Sequence, residues 1–109
     1  MAIIGTFKTT ENGFTGAIET LTLKAEISIE AASKKNDNQP DYRVFHVTEH
    51  FKSDIGAAWK KTSREGRDYL SVKLDDPSFA APIYANLFGD EGGDGYTLIW
   101  SRSRKSNGD

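Results

Sequence analysis

Apolar and polar residues alternate along most of this chain, and the alternation predicts strands rather than helices. The clearest case is Ile55–Leu74, where Leu70, Val72 and Leu74 fall on one face and Arg67, Tyr69, Ser71 and Lys73 on the other. Thr62–Gly66 between the arms supplies the glycine that a longer hairpin loop wants, so the stretch reads as a β-hairpin. Two registers are open. A five-residue loop at Thr62–Gly66 sets Lys61 opposite Arg67, Trp59 opposite Tyr69 and Ala57 opposite Ser71. Trp59 and Tyr69 then share the polar face with Lys61, Arg67 and Lys73. A four-residue loop sets Trp59 opposite Leu70 and sends the indole into the core, because a one-residue slip exchanges faces.

The rest of the chain repeats the pattern. Ile3–Lys8 is a strand, and Asn12-Gly13 is a strong turn signal. Phe14, Gly16 and Ile18 alternate on one parity, then the phase flips at Glu19–Thr20 and Leu21, Leu23, Ala25, Ile27 and Ile29 continue on the other. Such a flip predicts a bulge, a bend or two separate strands. Ala32–Pro40 is a polar, exposed loop. Asp41–Thr48 is a strand with both faces partly apolar, as in a central strand or a barrel wall. Asp76 followed by Pro77 predicts one short helical turn near residues 76–81, with Phe79 plugging an end of the sheet and Pro82 stopping the turn. Ile83–Phe88 and Tyr96–Ser101 are strands about the glycine-rich loop Gly89–Gly95.

Short strands at roughly ten-residue spacing predict an all-β fold, a small antiparallel barrel or sandwich. A partly open barrel of the oligonucleotide-binding (OB) type is one candidate. The 109 residues make one domain, residues 1–102, with a polar tail at 103–109.

Composition narrows the chemistry. There is no cysteine, so disulfides and cysteine-based zinc sites are excluded. The net charge of −2 gives no global attraction to polyanions, so any nucleic-acid contact needs a local patch. The hairpin is such a patch, with five basic residues between Lys60 and Lys73 against Glu65 and Asp68. No apolar run approaches the roughly 20 residues of a membrane helix. The N-terminus lacks a basic segment followed by an apolar one. A cytoplasmic location is therefore expected.

Several short motifs are weak out of context. His46-Val47-Thr48-Glu49-His50 has the H-x-x-E-H form of inverted zinc peptidases, but it straddles the end of a β pattern and the chain has only two histidines. Lys60-Lys61-Thr62-Ser63 lacks the glycine that a phosphate-binding loop places before its lysine. Asp90–Asp94 fails the calcium-loop spacing, and capping accounts for at least one of Asp75 and Asp76. No nucleophile–base pair is visible, so the chain reads as non-catalytic, with no cofactor and no metal.

The segments Ile4–Phe7 (IGTF), Gly56–Ser63 (GAAWKKTS), Arg67–Phe79 (RDYLSVKLDDPSF) and Pro82–Leu87 (PIYANL) resemble a family of small bacterial proteins, domain of unknown function 736. The resemblance runs from Ile3 to Arg102 and departs in Val47–Asp54, which counts against a zinc role for His46 and His50. It implies no established activity and no assigned catalytic residues. It implies occurrence on plasmids and integrated mobile elements, and so favours DNA transfer, maintenance or host defence over metabolism.

The expected function is binding of single-stranded DNA or RNA. Trp59 and Tyr69 would stack on bases while Lys60, Lys61, Arg64, Arg67 and Lys73 track the backbone. The alternative is a protein-interaction module, an inhibitor or accessory factor of a mobile element, with the hairpin as an edge that binds a partner or a second copy.

Overall fold

The computed structural model describes residues 2–33, 35–90, 93 and 95–101. Eight strands follow one another: β1 (Ala2–Thr9), β2 (Gly13–Glu19), β3 (Lys24–Ala31), β4 (Tyr42–Val47), β5 (Lys52–Thr62), β6 (Asp68–Leu74), β7 (Ile83–Gly89) and β8 (Gly95–Trp100). Each pairs antiparallel with the next, and β8 returns to pair with β1, closing a barrel. Of the two all-β architectures expected from the alternation, a small antiparallel barrel or a sandwich, the barrel forms. Its eight strands in consecutive order differ from the five-stranded Greek key of the OB type. The proposed tail at 103–109 lies outside the described residues. Among those described, no helix is long and apolar enough to cross a membrane.

Alternation sorts the side chains. Inside lie Phe14 and Ile18 from β2, Ile27 and Ile29 from β3, Val44, Ala58, then Leu70, Val72 and Leu74 from β6, Ala85, Leu87 and Leu98. The phase flip at Glu19–Thr20 is a reversal between two strands. Thr20 N donates to Leu23 O at 2.7 Å, Thr20 Oγ1 accepts from Leu23 N at 3.1 Å, and Leu21 at the tip is fully exposed. Ile55 is the extra residue of a bulge, since Val44 pairs with Gly56 but Phe45 pairs with Asp54.

The helical turn expected near residues 76–81 is instead a single β-turn. Phe79 N donates to Asp76 O at 2.8 Å, and the Asp76 carboxylate accepts from Ser78 N at 2.9 Å and Ser78 Oγ at 2.6 Å. Proline suits the second position of a turn as well as the first of a helix. Pro82 has no N–H to continue a helix, and it disfavours helical backbone at Ala81. Phe79 still plugs that end of the barrel, packed against the core beside Ile27, His46 and Leu74. His46 therefore faces this plugged end, whereas His50 is exposed in the β4–β5 turn.

Two ion pairs brace the outer wall. Arg43 holds Asp54 through Nε–Oδ2 at 2.9 Å and Nη2–Oδ1 at 2.8 Å, across the bulge. Lys52 reaches Glu30 at 2.6 Å and lies 4.8 Å from the Phe45 ring centre. The Arg43 bond holds the Asp54 carboxyl below its ordinary range, and the Lys52 bond, then that of Ser28, does the same for Glu30. A carboxyl with a depressed folded-state pKa stabilises fully above its unfolded pKa. That contribution is lost as pH falls through the folded value. Asp54→Asn with Glu30→Gln is thus expected to flatten the acid limb of a Tm-against-pH profile below about pH 5. Because both pairs are solvent-exposed, the effect is modest. An acid limb of unchanged steepness would remove these pairs from the account.

Candidate nucleic-acid interface

The β5–β6 hairpin pairs Trp59 with Ser71, Lys61 with Tyr69 and Thr62 with Asp68. Its loop is Ser63–Arg67, as long as the expected five-residue loop but one position later, so Trp59 stands opposite Ser71 and not Tyr69. The shift has a local cause. Thr62 Oγ1 donates to Asp68 Oδ1 at 3.0 Å, which keeps that pair in the ladder. Ser63 then closes the loop, with its N–H donating to Arg67 O at 2.8 Å and its Oγ accepting from Arg67 N at 3.1 Å. Gly66 takes φ of 81°, the left-handed conformation that the loop requires.

Moving both loop ends by one residue preserves parity. Leu70, Val72 and Leu74 point inward, so Trp59, Lys61, Tyr69, Ser71 and Lys73 share the outer face. The inward-indole register does not form. Trp59 is half-buried in a surface groove that Arg43, Asp54, Ala57 and Lys73 also line. Tyr69 stacks on Phe88 of β7, with centroids 5.1 Å apart and planes at 28°. Arg67 closes the patch: its Nη2 donates to Gly89 O and its guanidinium lies 5.0 Å from the Phe88 ring centre. Lys73 lies 6.0 Å from the ring centre of Tyr84, which is 60% exposed.

The structure therefore brings Trp59, Lys61, Tyr69 and Lys73 onto one face, with Arg67 at its edge and Arg64 in the exposed loop. Lys60 is set apart, because it pairs with Leu70 on the inward parity at the barrel mouth. Among the described residues no ion pair engages Lys60, Lys61, Arg64, Arg67 or Lys73. Phe88 and Tyr84 belong to the patch and were not among the residues singled out by the sequence. Their signal was the inward parity of Ala85 and Leu87, which forces Tyr84, Asn86 and Phe88 outward beside β6.

The hairpin is not a free sheet edge along its body. β5 is paired by β4 as well as β6, and β6 by β7. Beyond Ala58 the hairpin passes the start of β4, and Asp41 covers the opening: its N–H donates to Ala58 O at 3.0 Å and its Oδ2 accepts from Lys60 N at 2.8 Å. A partner adding a strand here would have to displace that carboxylate.

A closed eight-stranded antiparallel barrel, with rings and cations gathered on one outer face, defines the class: a small all-β barrel protein. The chain belongs to the family described as protein of unknown function (DUF736), whose model matches residues 3–103. No curated protein and no solved structure matches it.

Proposed function

We propose that this protein is a non-catalytic binder of single-stranded nucleic acid, acting through the outer face of the β5–β6 hairpin in the transfer or maintenance of mobile DNA. The observation that carries the reading is the shared face of Trp59, Lys61, Tyr69 and Lys73, whose cations have no carboxylate partner among the described residues. Half-exposed rings beside cations with no ion-pair partner among the described residues suit unpaired bases, because every base has a face to stack and a phosphate to neutralise. The closed wall supports a face-on contact over strand addition.

Titration of short single-stranded oligonucleotides at low salt, followed by tryptophan fluorescence, tests this. If Lys61, Arg64, Arg67 and Lys73 each neutralise one phosphate, log K should fall against log salt with a slope of about −3. Lys73→Met should lower the magnitude of that slope by about 0.7, the single-strand value per phosphate. Absence of binding at low salt, with a protein partner that survives nuclease treatment, would replace this reading with the interaction-module alternative.

A further inference from the structure

We propose that the open end of the barrel is a binding site for a small aromatic or apolar carboxylate, packed against the Phe14 and Tyr96 rings with its charge on Lys60. This site opens at the barrel mouth; its rim shares Lys61 and Tyr69 with the outer face of the hairpin, whereas Phe14, Lys60, Leu70, Leu87 and Tyr96 belong to it alone.

Eight strands enclose an interior just wide enough to be filled by side chains or to hold one small ligand. Here the two ends differ. Phe79 closes one end, leaving a pocket of only about 110 Å³. The other end opens into a cavity of about 620 Å³, whose lining includes Phe14, Lys60, Lys61, Asp68, Leu87 and Tyr96. That size falls within the roughly 300–1,000 Å³ of small-molecule sites.

The lining is graded from apolar to charged. Its floor is Leu70 and Leu87, both in the core. Phe14 and Tyr96 form an aromatic wall, edge to face, with centroids 4.7 Å apart, and Tyr42 stands 5.8 Å from Phe14. Lys60 interrupts this pattern. It occupies an inward position of β5, two residues beyond buried Ala58, where another apolar side chain would extend the core. Its Nζ lies 6.0 Å from the Tyr42 ring centre, so the stem follows the aromatic wall and the charge sits at the opening. Asp68 also lines the mouth, but it already accepts a hydrogen bond from Thr62 Oγ1. Among the described lining residues, Lys60 and Lys61 against Asp68 leave a net positive charge. An apolar body with a carboxylate head matches each part: rings meet rings, the floor excludes water, and the head gains charge-assisted hydrogen bonds.

The test compares two probes with the same ring system, 2-naphthoate and neutral 2-naphthamide, titrated into isotope-labelled protein and followed by amide NMR. Naphthoate is expected to shift the resonances of Phe14, Leu70, Leu87 and Tyr96. It should bind about tenfold more tightly than naphthamide, the scale of a hydrogen bond to a charged group. Lys60→Met keeps the stem and removes the charge, so it should bring naphthoate down to the naphthamide level while the dispersed spectrum shows the barrel intact. Three results would overturn the proposal: no shift at the mouth up to the probe's solubility limit, equal binding of the two probes, or a naphthoate preference that survives Lys60→Met.

Discussion

Gly16→Ala is expected to lower the melting midpoint by about 10–20 °C, the equivalent of about 3 kcal/mol in a domain of this size. The cause is a backbone approach with no slack. Gly16 pairs with Phe7 across β1 and β2, on the inward side. A Cβ at this position would sit 2.1 Å from Thr6 O and 2.8 Å from both Cα and Cδ2 of Phe7. The Phe7 ring is fully buried and cannot swing into solvent. The Thr6 backbone cannot retreat either, because β1 also pairs with β8, Thr6 opposite Thr97, along the seam that closes the barrel. Relief therefore comes only from opening that seam or separating β1 from β2. Amide exchange should show the loss of protection concentrated in β1, β2 and β8. Gly89→Ala is the control. Its Cβ would meet nothing closer than the Tyr96 ring at 3.4 Å, so a change within about 0.5 kcal/mol is expected. If Gly16→Ala melts with the wild type, the tight β1–β2 approach is wrong and the closure argument falls with it.

Closure is also where the limit of legibility lies. The strands could be read because alternation is local: Leu70, Val72 and Leu74 announce an inward face without reference to anything else. Pairing of β1 with β8 joins the two ends of the described chain, and no local pattern encodes it. The choice between sandwich and barrel therefore stayed open. The outward direction of Trp59 was legible only as one of two registers, since a single slip reverses it. The hydrogen bond from Thr62 to Asp68 decides it by moving both ends of the loop together. Lys60 was not separated from Lys61 in the sequence for a related reason. A basic residue beside Lys61 invites assignment to the same patch, but adjacent residues in a strand face opposite ways. Tyr84 and Phe88 went unnoticed because neighbouring strands contribute to a patch through register, and register across β6 and β7 is not written in either strand alone.

That patch makes the second large prediction. Replacing Trp59 and Tyr69 together by leucine is expected to weaken binding of a single-stranded oligonucleotide by about 30- to 150-fold at fixed salt. The figure follows from about 1–3 kcal/mol per stacked base, taken near its lower end for both rings. The lower end applies because Trp59 is half-buried in its groove and Phe88 already occupies one face of Tyr69. Leucine retains apolar cover on the wall, and both positions lie outside the core, so the melting midpoint should change little. The two kinds of contact separate by their salt dependence. Loss of the rings should reduce affinity equally at every salt concentration and leave the slope of log K unchanged, because no phosphate contact is removed. Loss of Lys61 or Lys73 should change the slope itself. If the double variant binds as tightly as the wild type while the slope persists, the cations act alone. The protein would then be a weak electrostatic binder with no stacking platform, and the hairpin's rings would belong to its wall.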